Sequence, residues 1–375
     1  MATQFDRRTW LRTAGLAGAF SMFGGTAALA SEQSPLRIIA NNFVPKGPLR
    51  LSSNENPYGP SDKVRQAIVD GFGEACRYPF ALTRELAEMI AKKHGVPTDH
   101  VVLTGGSTEG LKATGLTYGL HGGEIIAAQP TFLAMMDYAE QFGAYTHYVP
   151  LDDKMVHDID AMERRITNNT RLIFVCNPNN PTGTILSSSR MKDFCAGISK
   201  QAVVFADEAY FDYITEPNYP SMIELVKQGM NVIVSRTFSK VYGMAGIRIG
   251  YLIARPDIAR RLQENSMAGV SVPAIMGAKA AMEDTEFYKF SQQKNMECKN
   301  IIYKTLDDLK LPYIKSHTNF VFFNSGKEVS EMNKMMAEKG IMVGRPFPPF
   351  TKWCRISTGK VEEVEAFVKA LREVV

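Results

Sequence analysis

The chain has 375 residues, 45% hydrophobic and 22% charged, with 43 Lys and Arg against 39 Asp and Glu. That length supports two domains and a sizeable core, while a net charge of +4 without a basic tract or an interleaved aromatic–basic patch argues against nucleic acid as a partner. The five cysteines are scattered, form no CxxC pair and have no histidines grouped with them, so free thiols and no metal site are expected.

The N-terminus reads as an address. Asp6-Arg7-Arg8-Thr9-Trp10-Leu11-Arg12 resembles a twin-arginine export motif, and an uncharged Gly/Ala-rich run follows from Thr13 to Ala30, closing on Ala28-Leu29-Ala30. Residues 1–30 are therefore expected to be a signal peptide, and the mature protein to be periplasmic or otherwise exported, with no stable membrane anchor after cleavage. Residues 31–60 lack periodicity, are rich in Pro and Asn, and end in Asn54-Glu55-Asn56-Pro57-Tyr58-Gly59-Pro60, the composition of an arm or lid.

From residue 61 strands and helices alternate. Amphipathic helices are predicted over Asp62 to Phe72 and Thr83 to His94, with Arg77-Tyr78-Pro79 between them. The strand Val101 to Leu103 runs into Thr104-Gly105-Gly106-Ser107-Thr108-Glu109-Gly110 and a helix to Gly119. A glycine turn that opens a helix offers free backbone N–H groups to an anion, although it is neither GxGxxG nor a P-loop. Glu124 to Ala128 is a strand that ends at Gln129-Pro130-Thr131-Phe132, with Phe132 at a strand-to-helix turn, either facing a planar ligand or packed under the next helix. After a strand over Tyr145 to Leu151, Leu172 to Cys176 opens into the rigid turn Asn177-Pro178-Asn179-Asn180-Pro181-Thr182-Gly183.

Ala202 to Ala206 is fully apolar and ends in Asp207-Glu208-Ala209-Tyr210. An acid at the mouth of a buried strand is costly unless paired, so Asp207 serves as a cap, an ion pair or the partner of a cationic ring nitrogen. Val232 to Val234 then delivers Thr237, Ser239 and Lys240 into a loop, with Gly243, Gly246 and Arg248 ahead of the run Ile249 to Ala254. Hydroxyls and an arginine around a lysine at a strand end suit an anion site beside covalent amine chemistry. Residues 61–265 thus read as one α/β domain with a mainly parallel sheet, its marked loops sharing one sheet end. Residues 266–375 read as a smaller α/β domain, with one helical stretch over Pro273 to Leu309. Its strand Trp353 to Ser357 carries Arg355, which has no acid nearby in sequence and is offered to a ligand carboxylate.

Taken together, LSSNENPYGP, RYP, LTGGSTEGL, NPNNPTG, DEAY, SKVYGMAGIRIG and CRISTG resemble the fold-type I pyridoxal-phosphate aminotransferases, in the class I/II branch that includes histidinol-phosphate aminotransferase. The resemblance implies pyridoxal 5′-phosphate as cofactor, amino and 2-oxo acids as substrates, and a homodimer with shared sites. It implies that Lys240 forms the Schiff base and moves the proton, that Asp207 holds the ring nitrogen protonated, and that Tyr210 and Asn180 bond the ring's phenolic oxygen. Phe132 would stack on the ring; Gly106, Ser107, Thr108, Thr237, Ser239 and Arg248 would cup the phosphate, with Tyr78 reaching it from the neighbouring subunit. Arg355 would clamp the substrate carboxylate, with Asn54 and Arg345 as further substrate contacts. Histidinol-phosphate enzymes usually carry arginine directly after the valine before the substrate loop. Here the order is Val343-Gly344-Arg345, followed by an aromatic, proline-rich stretch. With an export signal, that departure points to an aromatic or otherwise hydrophobic α-amino acid; histidinol phosphate, or a lyase or decarboxylase reaction on the same fold, is the alternative.

Overall fold

A computed structural model describes residues 47–375; the expected signal peptide and the first part of the expected arm lie outside the described residues. A seven-stranded sheet carries the site. Its strands are β2 (Val101–Thr104), β3 (Glu124–Gln129), β4 (Tyr145–Pro150), β5 (Thr170–Cys176), β6 (Val203–Asp207), β7 (Val232–Thr237) and β8 (Gly250–Ile253), in the spatial order β2-β8-β7-β6-β5-β3-β4. Every pairing from β4 to β7 is parallel, whereas β8 runs antiparallel to both β7 and β2.

The continuous apolar runs follow from burial on both faces. Ile173, Val175, Val204, Ala206, Val232 and Val234 point into one core, while Leu172, Phe174, Phe205 and Ile233 point into the other, as a period of two requires. Helices cover each face, and the C-terminal ends of β2, β3, β5, β6 and β7 open on one side. Because β8 is reversed, its entrance lies at that same end, which is how Arg248, just ahead of β8, joins loops that follow the other strands.

A smaller antiparallel sheet has the order β12 (Trp353–Ser357), β10 (Phe320–Asn324), β9 (Tyr313–Ile314). Its core gathers Val321, Phe323, Ile356, Ile302, Leu306, Met332, Phe367 and Leu371. Two features differ from the expectation. The stretch Pro273 to Leu309 is two helices, Val272–Glu283 and Thr285–Asp308, and the first packs on the helix Asp62–Asp70, its Ala274, Ile275 and Ala278 joining the core of the large sheet. Its small-residue face allows that close approach. The expected arm is in part a structural element: β1 (Leu49–Arg50) pairs in parallel with β11 (Ile341–Met342), and Leu51 is fully buried in the smaller core.

Downstream of β1 the chain crosses the lysine loop at two glycines. Gly243 has φ 67, and a Cβ there would lie 2.5 Å from Gly59 Cα, a backbone atom that cannot turn aside. Gly243→Ala should therefore lower stability by roughly 1–3 kcal/mol through left-handed strain and overlap, seen as a fall in Tm of at least about 2 °C in thermal unfolding.

Candidate active site

At the open end of the large sheet, the loops after β2, β3, β5, β6 and β7 meet β12 and the Ser53–Glu55 segment around a cavity of about 280 Å³. Asn54, Ser107, Thr108, Phe132, Asn180, Asp207, Tyr210, Ser239, Lys240, Arg248 and Arg355 line it. Most of the residues marked in the sequence thus converge.

Asp207 is the last residue of β6 and only 3% exposed. Its side chain accepts from Ala209 N at 3.2 Å, and burial outweighs that bond and the nearby Lys240 charge, raising its pKa to about 7. Lys240 follows β7 by three residues. Burial, reinforced by Arg355, lowers its pKa to about 8, against the opposing pull of Glu55 and Asp207. Its Nζ donates to the Asn54 carbonyl at 3.0 Å and stands 5.2 Å from the centre of the Tyr210 ring. The Tyr210 hydroxyl accepts from Asn54 Nδ2 at 2.9 Å, and burial pushes its pKa up.

The three asparagines of the Asn177–Gly183 turn do separate jobs. Asn177 Nδ2 donates to the Tyr219 hydroxyl at 2.7 Å. Asn179 accepts from Thr131 at 2.8 Å and donates to Pro130 O at 3.1 Å, which ties the Phe132 turn to this one. Asn180 Oδ1 accepts from Arg355 Nη1 at 2.7 Å, so its amide NH2 is the group left for the cavity. Arg355 Nη2 donates to Ser52 O at 2.6 Å, Nε is buried without a partner, and burial lowers the guanidinium pKa. Among the described residues no carboxylate forms an ion pair with Arg355. A buried guanidinium with an unused N–H is prepared for a carboxylate.

Opposite, the helix Ser107–Gly119 starts at Gly106, which has φ 83 and provides no side-chain cap, so the first N–H groups face the cavity. A Cβ at Gly106 would overlap the guanidinium of Arg248. Arg248, itself left-handed at φ 62, is held by Ala245 O at 2.7 Å and Gly105 O at 3.3 Å. Thr237 does not line the cavity; its hydroxyl donates to Ser239 Oγ at 3.0 Å and so orients the residue that does.

Two expected residues lie elsewhere. Tyr78 is 85% exposed and stacks on Phe80 beside a separate groove. Arg345 is exposed, with its guanidinium 4.5 Å from the Phe347 ring centre; the other face of the cavity contacts that ring through Arg355, at 5.0 Å. Sequence reasoning missed Glu55 and Cys176 in the wall, and it missed Ser357, bonded to Asn54. The DEAY stretch pointed to Asp207 and Tyr210 but gave no sign that Glu208 turns away, into a buried ion pair with Arg236 at 2.7 Å.

An α/β fold with a lysine, a buried acid and a carboxylate-ready arginine around one cavity defines an enzyme acting on amino acids. The profile of the family Aminotransferase class I and II matches residues 46–371, and the chain belongs to that family. Histidinol-phosphate aminotransferase of Moorella thermoacetica is 36% identical over 344 residues, 91% of this chain and 89% of that protein. The Caldicellulosiruptor saccharolyticus protein of the same name is 35% identical over 329 residues, covering 87% and 91%. A putative histidinol-phosphate aminotransferase structure from Erwinia carotovora atroseptica superposes with TM-score 0.83 at 31% identity, covering 87% of this chain and 95% of that one. The enzyme is a pyridoxal 5′-phosphate-dependent aminotransferase.

The residues present fit that cofactor. Among the described residues no cationic side chain forms an ion pair with Asp207, and the Gly106 turn with Arg248 makes an anion cradle that a side chain at 106 would obstruct. The raised Asp207 pKa has a measurable consequence without the cofactor. A native carboxyl that keeps its proton up to about pH 7, while the unfolded one loses it near 4, makes stability fall as pH rises through that window. Cofactor-free Asp207→Asn should escape the loss, exceeding the parent by on the order of a few kcal/mol at pH 8 and by little at pH 4, as measured by urea unfolding at both values.

Proposed function

We propose that the protein moves the amino group of an aromatic or otherwise hydrophobic α-amino acid to a 2-oxo acid, with Lys240 as the proton-transferring base. The observation that carries the catalytic assignment is the convergence of Lys240, Asp207 and Arg355 on one cavity. Bound there, the cofactor supplies an electron sink for the pair left on the substrate α-carbon when its proton departs. Asp207 would hold the ring nitrogen protonated, and Tyr210 with the Asn180 amide would donate to the ring oxygen. Ser107, Thr108, Ser239 and Arg248 would take the phosphate, and Phe132 would cover the ring. Arg355 would take the substrate carboxylate in place of the Ser52 carbonyl. Lys240, with a pKa near 8, would accept and return the proton of the substrate α-carbon.

The substrate class rests on the aromatic cluster behind Arg355, whose guanidinium lies 5.0 Å from the Phe347 ring centre. Phe347 is buried and meets Phe322 edge-on at 6.1 Å, and Trp353 lies 5.3 Å from Phe322. Position 344 has no room for a phosphate-binding arginine: a Cβ there would lie 2.6 Å from the Arg355 carbonyl oxygen. The relatives' names and the exposed guanidinium of Arg345 favour histidinol phosphate as the second reading. We further infer a homodimer in which the exposed Tyr78 reaches the other copy's phosphate, supported by its place outside its own cavity. Export is inferred from the Arg7-Arg8 motif and the run to Ala30.

The holoenzyme should be yellow. Phenylalanine or tyrosine, added without an oxo acid, should bleach that band, and histidinol phosphate should do so less efficiently; the reverse order would replace the substrate assignment. Arg355→Ala should lower kcat/KM for every α-amino acid by roughly 100-fold or more, since truncation removes a desolvated charge pair. Steady-state kinetics with several donors checks this.

A further inference from the structure

The chain from Leu49 to Asn54 is fastened along its length to β11 and to β12. Leu51 N donates to Met342 O at 3.0 Å, and Ser357 N donates to Leu51 O at 2.9 Å. The segment ends at Asn54, buried and left-handed at φ 55, with every polar group engaged. Its N–H donates to Ser357 Oγ at 2.8 Å, and Ser357 Oγ donates back to Asn54 Oδ1 at 2.8 Å. Its Nδ2 donates to the Tyr210 hydroxyl at 2.9 Å, and its carbonyl accepts from Lys240 Nζ at 3.0 Å.

Ser357 is 1% exposed and is not part of the cavity wall. It lies two residues after Arg355 on β12 and therefore on the same face of the strand. Both side-chain bonds of its hydroxyl go to one residue, a two-point clamp that fixes the Asn54 backbone and amide together. The clamp has two effects at the cavity. An amide donor on the Tyr210 oxygen leaves that hydroxyl's own proton for another acceptor. A carbonyl aimed at Nζ stabilises the lysine when its amine is free and charged.

We propose that Ser357 is a positioning residue of the aminotransferase site, acting through Asn54 to aim both the Tyr210 hydroxyl and the Lys240 amine. This rests on the roles assigned to Lys240 and Tyr210 above. Because Ser357 is carried by the strand that carries Arg355, the carboxylate clamp and the lysine are held in register through a residue that touches neither substrate nor cofactor.

The test follows Lys240 in the full chain stripped of cofactor. The rate of its modification by trinitrobenzenesulfonate is measured against pH and located by peptide mass, with pyridoxal 5′-phosphate added back as a protection control. Arg355, Glu55, Asp207 and Arg248, the charged groups that face Lys240, are unchanged in the variants. Ser357→Ala removes the clamp, so the ammonium loses its carbonyl and the titration midpoint should fall by about half a unit or more. Ser357→Thr, which keeps the hydroxyl, should restore it. Asn54→Ala, which removes one point of the clamp and keeps the backbone one, should give a smaller fall of the same sign. A merely structural serine would loosen the pocket, admit water and move the midpoint up toward that of an ordinary lysine. A midpoint that rises or stays fixed in Ser357→Ala overturns the proposal. Failure of the cofactor to protect Lys240 in the parent protein would instead overturn the lysine assignment on which it rests.

Discussion

The site is organised by a charge in an unfavourable place. β6 is apolar up to its last residue, and that residue is Asp207, 3% exposed, accepting from the Ala209 N–H with the more distant Lys240 charge also opposing its burial. Burial raises its pKa so far that, without a cation beside it, the group is close to half protonated at neutral pH. A pyridinium nitrogen reverses that balance: the ion pair it makes is worth most where water is excluded. The same exclusion depresses the Lys240 pKa to about 8, into the range where a base can both take and return a proton. The burial that both groups share therefore shifts them in opposite directions.

Around this axis the anion sites are separated by construction. The helix start at Gly106 and Arg248 lie on the large sheet, whereas Arg355 lies on β12 of the smaller one. A phosphate and a carboxylate can then be held at once without competing for one guanidinium. The reversed β8 matters here, because only an antiparallel strand could bring its leading residue, rather than its trailing one, to the end of the sheet where β7 delivers Lys240.

Much of this was legible in the sequence because it is local. Buried parallel strands write themselves as continuous β-branched and aromatic runs, and the chemistry sits at the last residue of each or up to four residues beyond it, as with Asp207, Lys240 and Asn180. What was not legible is contact across distance. Asn54 and Ser357 are 303 positions apart, and neither carries a local sign of the other. The segment before Asn54 looked like an arm because its Pro and Asn content hides a two-residue strand, too short for any period to show. The helix Val272–Glu283 was assigned to the smaller domain by position alone, although its alanine-rich face fits the large core.

The Leu49–Asn54 segment also changes what the front of this chain is for. It is at once a strand paired with β11, a contributor to the smaller core through Leu51 and one wall of the cavity, so the active centre depends on a segment that precedes the whole large sheet. Loss of these six residues would open the cavity to water from one side and release the lysine. Any fusion or cut that disturbs Leu49–Asn54 therefore reaches the reacting centre directly, through the pairing with β11 and one asparagine.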